Sequence, residues 1–365
     1  MFANLFASSR RMTFYGLLAA VLFSAFLLIP QFSSPNYHIS KEKSSQKTTS
    51  NPHSAFTTNR TAKPILQPSD PSDTLVVYVY YDGTMTDQDS RLRYGWGYYL
   101  LGIASYFKAK PTQPDNLAFF LRQGLLSNVD HLFIMNSPVP KGVPMPERDN
   151  IFVWERKNSC YDLGSFHLGV QRMRETHNRT YKRYILLNAS VRGPFLSTHN
   201  HACWTDSFLD FLSDDIKLVG TTYFCDNKDK YPAHVQSMVL AFDEAGYEAG
   251  LPAFQCSNSI KDAIMSGEVR LTGLLQEKGF KAHSITTAYA ADPDACENGD
   301  MNYKGKYYGM SYHPYELVFI KTNRDIDDLA LKQYTEWHDK IIARGAGSCP
   351  YHIPLWPSTV QGEVP

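Results

Sequence analysis

The amino-acid sequence predicts an α/β domain built on an open, mostly parallel sheet. A continuous apolar run beginning at Thr74, TLVVYVYYD, has the pattern of a strand buried on both faces. Short apolar strands then alternate with helices along the chain, the order that produces parallel crossovers. The span from Thr74 to the end is about 290 residues, enough for one large domain or two fused halves. No internal repeat is present.

The elements follow in order. Leu117–Leu126 reads as a helix and His131–Asn136 (HLFIMN) as a strand. Ile151–Glu155 (IFVWE) is a further strand. Leu163–Glu175 is a helix entered through Cys160-Tyr161-Asp162. Tyr184–Asn188 (YILLN) is a strand, Trp204–Leu212 a helix, and Ile216–Thr221 and Val235–Phe242 are strands. Glu268–Lys278 is a helix closed by Gly279, a suitable residue just past a helix end. Tyr315–Lys321 (YELVFIK) reads as a late strand and Asp327–Ala343 as the last helix.

Ahead of this domain, residues 12–29 read MTFYGLLAAVLFSAFLLI, with no charge. As a helix that run is roughly 27 Å long, enough for a thin bilayer. Arg10 and Arg11 precede it, so the positive-inside rule keeps residues 1–11 in the cytosol and sends the remainder into a lumen. The expectation is a signal anchor over residues 12–30 in a Golgi or endoplasmic reticulum membrane, whose thinner bilayer suits a short span. The alternative is a cleaved signal peptide. The run exceeds the usual ~7–15 residue core, and the exit Ile29-Pro30-Gln31-Phe32-Ser33-Ser34 offers no small-x-small cleavage site. Residues 31–72 are rich in Ser, Thr, Lys, Asn and Pro and cannot bury enough surface to offset chain entropy, so they read as a flexible stem. Residues 73–365 form the main domain.

Charge balances, with Lys+Arg 36 against Asp+Glu 36, so nothing argues for a nucleic-acid partner. Aromatic residues reach 13%, which suits a large core or a sugar-facing cleft. Six cysteines, Cys160, Cys203, Cys225, Cys256, Cys296 and Cys349, lie in the main domain with no C-x-x-C spacing. That disfavours zinc and thioredoxin-like chemistry, while an oxidising lumen permits up to three disulfides of undetermined pairing. Asn-x-Ser/Thr triplets stand at Asn59, Asn178 and Asn188. Asn59 in the stem and Asn178 after a helix are expected to take glycan. Asn188 ends an apolar strand, where a glycan is hard to place.

In open α/β sheets ligands bind beyond the carboxyl ends of the strands. Tyr80-Tyr81-Asp82 ends the first strand. Asn158–Gly164 leads from a strand into a helix, whose free N–H groups and dipole suit a diphosphate, with Gly164 permitting close approach. Asp162 is either part of that site or a helix cap. Beyond the next strand, Asn188, Ser190 and Arg192 converge before Gly193-Pro194. Arg192 either pairs with a phosphate or sits in an ordinary polar loop. Glu268 either serves as a general base or sits favourably in the first turn of a helix.

Metal ligands are poorly signalled. The Asp-x-Asp triplets Asp87-Gln88-Asp89 and Asp292-Pro293-Asp294 lie in polar loops, where such residues usually make solvated turns. No metal or other cofactor is assigned. G-x-G-x-x-G, Walker A, G-x-S-x-G and H-E-x-x-H are absent, which disfavours a dinucleotide oxidoreductase, a P-loop kinase, a serine hydrolase and a zincin.

Asn158…Tyr161-Asp162-x-Gly164, Leu187-Asn188-x-Ser190-Val191-x-Gly193-Pro194, Gln236-Ser237, Glu268-x-x-Leu271 with Gly279, and His313-Pro314-x-Glu316 with Phe319-Ile320-Lys321 appear in that order. The set resembles the rhamnan synthesis protein F family of glycosyltransferases over about 160 residues, from Asn158 to Arg324. The resemblance implies a GT-A-like fold and transfer of a sugar from a nucleotide donor to a glycan or glycoconjugate acceptor. It places Tyr80, Asp82, Asp162, Gly164, Asn188, Ser190 and Arg192 in the donor cleft. Glu268 becomes the acceptor-side base, with His313 and Lys321 supporting it. Relatives often carry Asn-Asp-Ser where this chain has Asn188-Ala189-Ser190, and Ala189 cannot ligate a metal. Either a metal is held elsewhere, or the enzyme works without one, with a positive group such as Arg192 or Lys321 stabilising the leaving diphosphate, or activity is lost. The rival reading is a non-catalytic lumenal carbohydrate-binding or assembly protein on the same scaffold. A lumenal hydrolase is a third.

Overall fold

The computed structural model describes residues 72–82, 113–225, 231–257, 259–293, 299–344 and 349–355. The expected cytoplasmic tail, the anchor over 12–30, the stem up to residue 71, Asn59 and Asp87–Asp89 lie outside these residues. Among the described residues no helix is long and apolar enough to cross a membrane.

Seven strands form one sheet. They are β1 (Thr74–Tyr80), β2 (Asp130–Met135), β3 (Ile151–Glu155), β4 (Arg183–Asn188), β6 (Ile216–Gly220), β9 (Val239–Asp243) and β10 (Lys281–Ser284), in the order β10-β6-β9-β4-β1-β2-β3. The β1–β2, β1–β4, β2–β3 and β6–β10 pairs are parallel, whereas β9 runs antiparallel to both neighbours. The predicted open, mostly parallel α/β sheet is therefore present. The main helices are α1 (Gln113–Gln123), α2 (Asp162–His177), α3 (Asp206–Leu209), α4 (Glu244–Gly250), α5 (Val269–Glu277), α6 (Thr287–Ala291), α7 (Pro314–Leu317) and α8 (Asp328–Ala343).

Every side chain of β1 is buried, and the alternation of the strand divides them between two cores. Val76, Tyr78 and Tyr80 join Phe120 of α1, Trp204 and Phe319 on one face. Leu75, Val77 and Val79 join Phe166 of α2, Phe242 and Leu271 of α5 on the other. That two-sided burial is why the strand reads as an unbroken apolar run.

Three predicted elements differ here, and a fourth, the helix at Glu268, differs in where it begins. The Val235–Phe242 stretch is two strands. β8 (His234–Val235) closes a small hairpin with β7 (Tyr223–Phe224), and only Val239–Asp243 enters the main sheet. Trp204–Leu212 is helical only over α3. Tyr315–Lys321 is the short helix α7 followed by β11 (Ile320–Lys321), because Pro314 starts a helical turn and Val318, at φ 61°, leaves the extended region. β11 pairs antiparallel with β5 (Val191–Arg192), forming a two-stranded ribbon beside the sheet.

Disulfides join Cys160 to Cys256 and Cys203 to Cys349, and Cys225 is also disulfide-bonded. Cys296 lies outside the described residues.

Candidate functional site

A polar cluster sits beyond the carboxyl end of β4. Asn188 closes that strand and is buried, with its side chain spent on both neighbours. Its Nδ2 donates to Asp162 Oδ2 at 2.9 Å, and its Oδ1 accepts from the Ser190 N–H at 3.1 Å and the Ser190 hydroxyl at 2.5 Å. Asp162 is the first residue of α2. Tyr161, at the preceding cap position, has no side-chain capping bond, so Asp162 is not the cap and the first-turn N–H groups lack a side-chain acceptor from it. Burial pushes the Asp162 carboxyl up to about 6, aided by the charge of Glu268 and opposed by Asn188 and Lys321.

Glu268 does not open a helix. The chain is helical from Ile260, passes through a π-helical stretch at Ala263–Glu268, and continues as α5. The first-turn role is therefore excluded, and the wider π turn, a feature common at functional sites, places the carboxylate. Glu268 Oε2 accepts the Ser237 N–H at 3.2 Å and the Ser237 hydroxyl. Its Oε1 lies 3.7 Å from His234 Nε2. Burial favours the neutral acid, but His234, Lys321 and Ser237 outweigh it and draw the carboxyl down to about 2. Two carboxylates in one electrostatic neighbourhood are thus pushed in opposite directions, with Lys321 lowering both.

Lys321 reaches this cluster on the β5–β11 ribbon. Thr322 beside it donates to the Ser190 carbonyl through its N–H at 3.0 Å. In the ribbon register Lys321 faces Val191 and Ile320 faces Arg192, so Lys321 and Arg192 project to opposite faces.

Arg192, predicted in the donor set, is held by other partners. It is only 6% exposed. Its Nε donates to Asn116 Oδ1 at 3.0 Å, its Nη1 to the Thr335 hydroxyl at 3.3 Å, and its guanidinium lies over the Phe119 ring. Asn116 in turn donates to the Ala189 carbonyl and the Thr322 hydroxyl, both at 2.9 Å. Arg192 bolts the ribbon to α1 and α8.

Four further candidates make other contacts. His313 is exposed and caps α7, its Nδ1 accepting the Tyr315 N–H at 3.2 Å while Nε2 meets the Tyr334 hydroxyl at 3.1 Å. Gly164 is needed for packing within the protein: an added Cβ would come within 3.1 Å of Cys160 Cβ, Cys256 Cα and the Gln255 carbonyl. Tyr80 lies on the α1 face of the sheet, opposite to Asn188, whose register partner is Val79. Its buried hydroxyl has no hydrogen-bond partner among the described residues and is pushed up to about 12 by burial and by the charge of Asp82. Asp82 is exposed, and its N–H donates to the Ser137 hydroxyl at 3.0 Å. The site thus brings together Asp162, Asn188, Ser190, Glu268 and Lys321. Ser237 and His234 complete it. Gln236-Ser237 was visible as a motif, whereas nothing in the sequence marked His234.

The end of β4 does not form a metal-ligand set. Ala189 is buried and has no ligating atom, and Asn188 is committed to Asp162 and Ser190. Among the described residues no group of three or more His, Cys, Asp or Glu side chains is arranged to hold a metal. Asp292 ends α6, and Asp294 lies outside the described residues.

No family model and no curated protein matches the chain. Among solved structures, a mannosyltransferase from Pyrobaculum calidifontis in complex with GDP-Man and Mn2+ is 10% identical, with a TM-score of 0.34 over 60% of this chain and 55% of that one. The chain thus spans about half the length of that enzyme. A nucleoside-diphosphate-sugar pyrophosphorylase from Vibrio cholerae RC9 is 12% identical, with a TM-score of 0.31 over 59% of this chain and 93% of that one. Neither likeness bears on the chemistry of this chain.

Proposed function

We propose that the protein is a glycosyltransferase that moves a sugar from a nucleotide donor to a hydroxyl of a glycan or glycoconjugate acceptor. The observation that carries the reading is the pair of oppositely tuned carboxylates, Asp162 and Glu268, beside Lys321 at the carboxyl edge of an open α/β sheet. Separated carboxylate environments of this kind divide acid and base roles in sugar chemistry. Glu268, ionised and anchored by Ser237, faces the acceptor. Lys321 and the first turn of α2 face the diphosphate, where positive charge stabilises the departing group. Asn188 and Ser190 fix the edge between them. The ordered motifs shared with the rhamnan synthesis protein F family support the same reading. The apolar run at 12–29 and the disulfides fit a type II anchor in the Golgi or endoplasmic reticulum.

The test is a panel of UDP- and GDP-sugars with the full chain, following release of nucleoside diphosphate, together with calorimetric titration of UDP and GDP. Turnover of one donor is expected. Ala189 favours a second reading, a non-catalytic glycan-binding protein. Glycan binding with no affinity for either nucleotide would select it and overturn the transferase.

A further inference from the structure

His234 is buried and rigidly placed. It lies on β8, in register with Phe224 on β7, whose ring stacks on the imidazole with centroids 5.0 Å apart at 21°. The next residue, Val235, donates its N–H to the Thr272 hydroxyl of α5 at 3.0 Å, which ties the hairpin to the helix that continues from Glu268. The imidazole Nδ1 lies 2.7 Å from the Pro232 carbonyl oxygen. A carbonyl has no proton to give, so Nδ1 is the donor and carries the hydrogen. In the neutral ring that leaves a bare Nε2, and Nε2 faces Glu268 Oε1. The 3.7 Å between them is longer than a hydrogen bond. Glu268 Oε2 is already occupied by Ser237, so Oε1 is the oxygen left for an incoming proton.

We propose that His234 acts through Glu268 as its proton-receiving partner, taking up at Nε2 the proton that Glu268 Oε1 removes from the acceptor hydroxyl. The inference rests on the transferase reading. In the step, the acceptor O–H bond breaks and its proton goes to Oε1 while the acceptor oxygen bonds the anomeric carbon. The bond from that carbon to the diphosphate oxygen breaks, and its electron pair leaves with the nucleoside diphosphate. The proton then passes from Oε1 to Nε2, giving a carboxylate beside an imidazolium, which later releases the proton to solvent. The contact between the two side chains becomes a charge-assisted bond only after the acceptor has been deprotonated, so it favours the reacting state over the resting one.

Two experiments on the full chain decide it. Selective 15N labelling of histidine, with His234 assigned from the loss of its signal in H234Q, should show a neutral ring protonated at Nδ1 at pH 7.5. An imidazolium, or the Nε2–H tautomer, would overturn the proposal. The second is a double-mutant cycle on hydrolysis of whichever nucleotide sugar the donor panel identifies, with water as acceptor. H234A and E268Q should each lower kcat about 10²-fold or more with donor KM unchanged, and the double variant should be no slower than the worse single. Where H234A does not fold, H234Q stands in, since its amide fills the space and cannot accept a proton. A kcat near wild type in folded H234Q would overturn the relay. Unchanged kcat in E268Q would remove Glu268 as the base, and with it both the relay and the role given to Glu268 above. A slow E268Q beside a normal H234A removes the relay alone.

Discussion

Glu268 and Asp162 respond to the same surroundings with opposite sign, and that difference is measurable without knowing the substrate. The folded-state carboxyl of Asp162 is raised to about 6, above its ordinary range. The native protein therefore holds that proton between about pH 4 and pH 6, and Asp162 destabilises the fold progressively as pH rises through this window. D162N removes the penalty, so its melting temperature should gain on wild type from pH 4 to pH 7, by the equivalent of on the order of 2–3 kcal/mol. Parallel melting curves across the window would show that burial of Asp162 is not costly. Glu268 is lowered to about 2, so its contribution is present above about pH 4.5 and lost as pH falls toward 2. E268Q should melt below wild type at pH 7, with the gap closing as the solution is acidified. Its turnover should fall about 10²–10⁴-fold, the usual worth of a positioned proton acceptor. A variant with normal turnover and only the stability defect would leave Glu268 as a structural anion.

At the scale of the element, the β5–β11 ribbon explains which residues the sequence revealed and which it concealed. Arg192 and Lys321 look alike as cations near a strand end. Only the pairing register shows that one faces inward to Asn116 and Thr335 while the other shares the neighbourhood of Asp162 and Glu268. R192A should leave the buried Asn116 Oδ1 without its donor, at a cost of about 1–3 kcal/mol in thermal or denaturant unfolding. It should not remove a direct bond to the diphosphate. A fully stable R192A with abolished UDP or GDP binding would return Arg192 to the donor site. The main strands were legible because burial on two faces writes itself as unbroken apolar runs, as in β1 and β4. The helix through Glu268 was misread because a π turn has no sequence signature, so Gly267-Glu268 looked like a beginning. His234 was missed because its importance comes from Pro232, Phe224 and Glu268 converging on it, and Glu268 is remote in sequence.

Across the whole molecule, the proposed lumenal placement meets the described fold at two glycosylation triplets, and the structure separates them. Asn178 is exposed at the end of α2 in the left-handed conformation, its N–H bonded to the Met173 carbonyl and its side chain toward solvent. Asn188 carries the same triplet but is buried and donates to Asp162. A glycan there would break the polar cluster and has no exit from the sheet edge. The chain expressed in a secretory host should therefore carry endoglycosidase-sensitive glycan at Asn178, and at Asn59 in the stem, with none at Asn188. The clean probe at the first position is T180A, which removes the triplet while keeping Asn178, a residue suited to its φ of 50°. T180A and T61A should each remove one gel-mobility step, and peptide mass spectrometry should find Asn188 bare. In sealed microsomes a tag at the C-terminus should resist added protease until detergent is supplied. A digestible tag, with both acceptor sites unmodified, would place the domain on the other side of the membrane, where the disulfides of Cys160 and Cys203 would face reducing conditions.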